Sequence, residues 1–385
     1  MNNTLTTLLP LLLSRVLIAL RGRSFMPKLV HSDFDTELAN QGDTISIKKI
    51  GTKTATAVTP AQVPPAPAST TPSTVLLPMD QWYSSDFYIT DKEVTQINAQ
   101  ADFIPVDLVE SLECLVRKVN QDIFAEYTEV YEYVGTAGSN PFATNTDLVP
   151  DAMARLNANN CPLSSRFVVT NFAAEAAGLK LPALADASQA GDSRPKIEGS
   201  IGRKYGFDFF SDGDVPLHTA GSLGAAALAT TGGTVEPIGE TSIAVTSAGG
   251  TGVALLHGDI LTIAGDTQTY VLTANVTIAG GGAGVLVIQP PLKVATAGGE
   301  AITLKASHRV NLAFNKFGFG FANRQLRNPF AEQLGGKVSY TISDPVSGIA
   351  LRMTVAHGHM CVIWTIDILW GAVCMSPESC CRIAG

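Results

Sequence analysis

The sequence predicts an α+β fold whose sheets are interrupted by a small all-β module. Three observations predict it. The first is one long amphipathic stretch, Pro105 to Val134. Its apolar residues fall at Val109, Leu112, Val116, Val119, Ile123, Tyr127, Val130 and Val134, a run of threes and fours, while Glu113, Arg117, Gln121, Asp122 and Glu126 fill the other face. Pro105 suits a first helical turn and Gly135 a last one. A single helix over this span would be about 45 Å long, a spine for something laid along it. The second is a change of composition at Ser222. From there to Leu304, 83 residues hold 15 glycines and no Phe, Trp or Cys. The third is the return of the earlier aromatic and basic style at Arg309 to Phe314, followed by Phe317, Phe319 and Phe321.

The elements follow in order. Leu9, Leu12, Leu13, Val16, Leu17 and Leu20 share a helical face near the N-terminus, with Arg15, Arg21 and Arg23 among or beyond them. No basic residue precedes this run and no small-x-small cleavage site follows it, so an arm that packs on a partner is expected rather than a signal peptide. Asp43 to Ile50 alternates as a half-exposed strand, and Val75 to Ile89 is a second strand-like run. Between them, Thr52 to Thr74 is rich in Pro, Thr and Ala, with too few large apolar residues to bury. Together they make a long hairpin arm. Thr90 and Glu93 have capping-box spacing and should start a helix to about Ala101.

After the long helix, Pro150 to Asn157 reads as a short helix and Arg166 to Asn171 as a buried strand. Phe172 to Leu181 reads as a helix broken by Pro182. Ile197 to Gly221 reads as strand, glycine turn, aromatic strand and loop. In the glycine-rich module, strands are expected at 243–246, 253–256, 260–263, 269–272, 275–278, 285–288 and 301–304, the spacing of a small barrel or sandwich. Its five acidic residues against Lys293 alone give −4, half of the chain's net −8. Ser339 to Ile342 and Ile349 to Val355 read as strands around the turn Asp344 to Gly348, and Cys361 to Trp370 as the last strand.

Chemistry is sparse. The chain has 385 residues, a net charge of −8 and no basic run longer than two, which disfavours a sequence-specific DNA binder. Gly335-Gly336-Lys337 lacks the upstream glycine and the following Ser/Thr of a phosphate loop, and there is no G-x-S-x-G and no H-E-x-x-H. Gly280 to Gly284 reads as a turn between strands. Asp212-Gly213-Asp214 lacks the other ligands of a calcium loop. His357, His359 and Cys361 alternate and would share one side of a strand, a pattern able to ligate zinc or copper, but no C-x-x-C accompanies them. We expect no catalytic, cofactor or metal site. Six cysteines in so long a chain are read as mostly buried thiols in a reducing compartment.

Several stretches resemble the major capsid protein of short-tailed bacteriophages. They are Met26 to Phe34 with Gly42 to Ile47; Gly199 to Arg203 with Gly206 to Asp208; Val215 to Gly221; Asn311 to Phe314; and Asp344 to Ile349. They keep the family's order over most of the chain. The resemblance implies the tailed-phage/herpesvirus-type capsid fold, with an N-arm (1–34), an extended E-loop hairpin (35–89), a peripheral domain with the spine helix (90–138), an axial domain (139–221), an inserted β domain (222–306) and a return (307–385). It also implies a non-enzymatic subunit of an icosahedral virion shell, assembled in the host cytoplasm. Its implied partners are further copies in hexamers and pentamers, a scaffolding protein, a portal and double-stranded DNA held non-specifically, with no membrane. The tail departs from the family. His357-Gly358-His359 and Cys374 to Glu378 stand where a Tyr-Asp pair and a Leu-Arg-Pro-Glu run are usual, although Cys381-Arg382 still fits. The alternative is a secreted β-domain binding protein with an N-terminal signal, which intact mass of the native protein would distinguish.

Overall fold

The computed structural model describes residues 25–34, 44–49, 55, 57–58, 60, 73–93, 106–186, 188, 191, 194–223, 227–249, 252–326, 337–344 and 348–385. The expected N-terminal helical arm, the Pro-rich tip between 61 and 72, and the helix beyond residue 93 lie outside these residues.

The chain starts with α1 (Met26–Leu29), which buries Met26 and Leu29. Next come β1 (Thr44–Lys49) and β2 (Ser73–Pro78), antiparallel and paired from Thr44↔Pro78 to Lys49↔Ser73. The run expected as one strand from Val75 to Ile89 is broken at Met79 and Asp80. Beyond the break, β3 (Gln81–Thr90) leaves the arm for a different sheet. The capping box is present: Thr90 N–H donates to the Glu93 carboxylate at 3.0 Å, and Glu93 N–H donates to Thr90 Oγ1 at 3.4 Å.

The long helix is shorter than its pattern. Helix α2 (Val106–Ala125) gives way to a 3₁₀ turn, Glu126–Glu129, and then to β4 (Tyr133–Gly135). At 20 residues it is about 30 Å long. The residues that extended the helical pattern, Tyr127, Val130 and Val134, belong to an aromatic and β-branched segment. β4 draws more from a neighbouring strand's ladder than from another helical turn. Up to that point the stripe holds except at Val109, which is half-buried: Leu112, Val116, Val119 and Ile123 are buried, joined by Leu108, Leu115 and Phe124.

There follow α3 (Leu148–Ala158), β5 (Arg166–Thr170), α4 (Phe172–Gly178), α5 (Pro182–Ala185) and α6 (Arg194–Glu198). The strand expected from Ile197 is therefore the end of a helix. Asn171 caps α4, its side chain accepting from Ala174 N–H at 3.0 Å. The chain continues through β6 (Arg203–Lys204), β7 (Phe207–Ser211) and β8 (Leu217–His218).

The glycine-rich stretch forms β9 (Ala227–Thr230), β10 (Ser242–Ala248), β11 (Val253–Leu255), β12 (Ile260–Ile263), β13 (Thr269–Leu272), β14 (Val276–Ile278), β15 (Ala283–Gln289) and β16 (Ala301–Leu304). Six of these close a barrel in the order β10-β15-β13-β12-β16-β9, and β11 pairs with β14 beside it. The expected strands are present. β9 was not foreseen, because its Ala-rich sequence carries little strand signal.

Last come β17 (His308–Asn315), β18 (Phe319–Arg324), β19 (Lys337–Ser343), β20 (Ala350–His357), β21 (Cys361–Cys374) and β22 (Cys380–Ala384). β21 runs four residues past the expected end at Trp370, and β22 is an additional strand. One sheet has the order β4-β22-β17-β5-β7-β6, with β8 also pairing with β17. The other has the order β18-β21-β20-β19, with β3 on the opposite edge of β21. Helix α2 lies across β3 and β21 and against α1. The core beneath it joins its apolar stripe to Phe314, Phe319, Phe321, Trp364, Ile366 and Trp370.

Candidate assembly surfaces and the barrel joint

Two places stand apart in this fold. One is the arm. The other is the joint where the barrel meets the sheets.

The arm is a two-stranded sheet with no third strand among the described residues. An isolated hairpin is marginal in water, so its base must be held. Ile45, Leu77 and Met79 are buried there with Phe34, Ala322 and Met375. Lys49 Nζ pairs with Glu378 at 2.7 Å. The base crosses β21 at Gly371, where an added Cβ would come within 1.9 Å of the Pro78 carbonyl oxygen. Only glycine permits that approach. Leu76, on the arm, is 56 % exposed. Trp82 and Tyr88, 62 % and 68 % exposed, lie on one face of β3. The Trp82 indole N–H donates to Asp367 at 3.0 Å, and Arg352 Nε donates to the same carboxylate at 2.9 Å. The indole is thus held in place while its ring stays in solvent.

At the joint, the strands that enter and leave the barrel segment lie side by side: His218 of β8 pairs with His308 of β17. Asp259, fully buried, is the hub. Its carboxylate accepts from Leu256 N–H at 2.8 Å, from Gly221 N–H at 3.1 Å and from His218 Nε2 at 3.0 Å. With Nε2 donating, His218 Nδ1 accepts from the Tyr127 hydroxyl at 3.0 Å. Arg382, also fully buried, donates to the Gly258 carbonyl at 2.8 Å and the Thr128 carbonyl at 3.3 Å, and lies 4.9 Å from the centre of the Tyr127 ring. Burial lowers the Arg382 guanidinium to about 10, still protonated at neutral pH. Burial also lowers His308 to about 4, although the bond between its Nδ1 and the Ala306 carbonyl works the other way. Farther along the joint, Thr269 Oγ1 donates to the Tyr131 carbonyl at 2.7 Å, and Gln268 donates to the buried Glu132 at 3.3 Å.

A half-buried carboxylate, Glu126, ties the end of α2 to the end of β21. Glu126 accepts from Cys374 N–H at 3.0 Å. Burial pushes its carboxyl up to about 7, helped by Glu129, Asp122 and Asp80.

The residues weighed for metal chemistry are not brought together as their alternation suggested. His357 ends β20, Cys361 begins β21, and His359 sits in the turn between. That turn is closed by Gly358 N–H donating to the Cys361 carbonyl at 2.8 Å, with Met360 at φ 54°. A strand would have put the three on one face; the hairpin puts them on two strands and a tip. Asp212-Gly213-Asp214 is a clamp: Asp214 accepts from Arg117 at 3.2 Å and Gln121 at 3.1 Å, holding the loop against α2. The sequence reading gave no joining role to Asp259 or Arg382 and placed Glu126 on the polar face of the long helix. A lone acidic or basic residue in an apolar run, as Asp259 before Ile260 and Arg382 before Ile383, was the available signal.

No protein-family model and no curated protein matches the sequence. Solved structures do match. A chain of Mycobacterium phage Che8 aligns over 94 % of this chain and 90 % of its own, at 13 % identity and a TM-score of 0.52. A chain of the capsid structure of the Cyanophage P-SCSP1u aligns over 94 % of this chain and 88 % of its own, at 10 % identity and a TM-score of 0.50. A spine helix across a strand-rich platform, an outlying two-stranded arm and near full-length agreement with these structures establish the fold of this chain as the tailed-phage capsid fold.

Proposed function

We propose that this chain is the major capsid protein of a phage virion, whose copies form hexamers and pentamers that close into an icosahedral shell around double-stranded DNA. The observation that carries the reading is the arm. β1 and β2 form a two-stranded sheet of their own, docked on the body along one side through Ile45, Leu77 and the Lys49–Glu378 pair, with Leu76 left in solvent. A monomer gains little from such an element; a subunit buries it on a neighbour. The capsid fold supports the reading, as does the near full-length likeness to a chain from the Cyanophage P-SCSP1u capsid.

On this reading, residues 1–34 are the N-arm, 35–89 the E-loop, 90–138 the peripheral domain, 139–221 and 307–385 the axial domain and its return, and 222–306 an inserted domain that braces its own subunit and touches a neighbour. The net charge of −8 suits an inner surface that confines DNA without gripping it. A scaffolding protein and a portal are the expected assembly partners. The test is assembly of the full chain, alone and with its neighbouring virion proteins, followed by sedimentation and negative-stain microscopy. Closed shells are expected, and a persistent monomer under both conditions overturns the proposal. Deleting 52–73 should leave the subunit's thermal transition in place and abolish or weaken shell formation.

A further inference from the structure

We propose that Cys374 and Cys380 form a peroxide-responsive dithiol, a modification site that closes into a disulfide where the chain crosses from one sheet to the other. Strand register builds this corner. Cys374 pairs with Phe319 at the end of β21, and Cys380 pairs with Phe314 at the start of β22. Phe314 and Phe319 meet edge to face at 5.3 Å, so the four side chains converge, and both cysteines belong to the core under α2. The 3₁₀ turn Pro377–Ser379 folds the chain back between them. Cys380 Sγ is packed tightly over Gly318, where an added Cβ would lie 2.4 Å from it. It donates to the Ser376 carbonyl at 3.6 Å, and the Gly318 carbonyl beneath it accepts from the N–H of Met375, the residue next to Cys374, at 2.9 Å.

The two thiols are not equivalent. Cys380 is fully buried, and burial pushes its thiol well above the usual range. Cys374 keeps 7 % of its surface exposed against none for Cys380, which assigns it the first step with the oxidant. The corner excludes a bulky disulfide reagent, so the oxidant is a small hydroperoxide. The Cys374 sulfur attacks one peroxide oxygen and the O–O bond breaks. The departing hydroxide takes the thiol proton as water, leaving a sulfenic acid. The Cys380 sulfur then attacks Cys374 Sγ, and the sulfenic hydroxyl leaves with the Cys380 proton as a second water. Peroxide is reduced, two thiols become one disulfide, and β21 and β22 are joined across the turn.

The test treats the folded full-length chain, carrying Cys114→Ser and Cys361→Ser to remove two more accessible thiols, with hydrogen peroxide. Alkylation under denaturing conditions and peptide mapping follow. The expected result is loss of two hydrogens in mass, a linked peptide joining 374 to 380, and a thiol count falling by half, reversed by a reductant. In a Cys380→Ser variant, Cys374 should stop as a sulfenic acid that dimedone traps. The proposal is overturned if both thiols are recovered reduced, if Cys374 goes to higher acids with Cys380 still free, or if Cys380 is found joined to Cys161. Mapping of the protein that retains both cysteines decides the matter even where the Cys380→Ser variant does not fold.

Discussion

The barrel and the two-sheet body solve the same problem with different materials. The barrel core is aliphatic except for Tyr270, built from residues such as Leu228, Val245, Leu261, Leu286 and Ile302. The body core carries Phe124, Phe314, Phe319, Phe321, Trp364 and Trp370. The reason is topological. A closed barrel has no free edge and its interior is narrow, so small branched side chains fill it. The body's sheets are open and must be covered by α2, and the wider space between helix and sheet takes aromatic rings. The joint between them combines buried polar groups with an apolar cluster of Tyr131, Tyr133, Ile260, Val271 and Ala384.

The largest test of this contrast is a pair of truncations. Trp370→Ala should cost about 3–5 kcal/mol and lower the main calorimetric transition. Leu286→Ala should cost about 2–4 kcal/mol, with hydrogen exchange accelerated in β10, β13 and β15 and little changed in β20 and β21. Equal acceleration in both regions would mean that barrel and body unfold as one unit.

The joint comes next. Asp259→Ala leaves Leu256 N–H, Gly221 N–H and His218 Nε2 without their acceptor. A loss of about 2–4 kcal/mol is expected, with exchange protection falling first at 221 and 256. Unchanged protection there would show that the barrel is held on by its apolar contacts alone.

His308, buried, and Glu126, half-buried, give opposite pH trends. The His308 folded-state value of about 4 lies below the ordinary 6.5. The unfolded chain therefore takes up its proton first, and the joint loses stability as pH falls from about 6.5 to 4. The Glu126 folded-state value of about 7 lies above the ordinary 4.5, so its contribution is fully present below 4.5 and is lost as pH rises through 7. His308→Asn should flatten the acid limb of a urea-unfolding series. Glu126→Gln, which can still accept from Cys374 N–H, should flatten the neutral limb. Each change should be of the order of 1–2 kcal/mol. Matching slopes for the parent and both variants would count against these assignments.

The smallest effect belongs to the arm. Lys49→Ala removes a partly exposed ion pair with Glu378 and should cost about 0.2–1 kcal/mol in the subunit, less in high salt. A larger loss would mean that the arm is part of the subunit's own core.

Most barrel strands were legible because apolar and β-branched runs sit between glycine or aspartate turns, and β10 and β15 also alternate between inside and outside. β22 was hidden because it is short of that signal. Its five residues, Cys380 to Ala384, are all buried and include one β-branched side chain, Ile383. The continuation of the helical stripe past Ala125 misled because a period of threes and fours also occurs by chance in an apolar segment, and β4 finds its partner in β22, far along the chain. The arm was legible as two strands with a Pro-rich centre. The departure of β3 from it was not, since the bend at Met79 depends on β21 lying alongside.

The sequence by itself determined the local periods: where α2 begins, where the barrel's turns fall, and that no sustained basic run is present. Those properties are set by neighbours within a few residues. The tertiary structure alone decided which polar groups are buried together. Arg382 reaches a carbonyl 124 residues away at Gly258, and His218 a carboxylate 41 residues away at Asp259. A buried charge is tolerated only where donors and acceptors converge on it, and that convergence depends on how barrel and sheets close on each other rather than on any pattern along the chain.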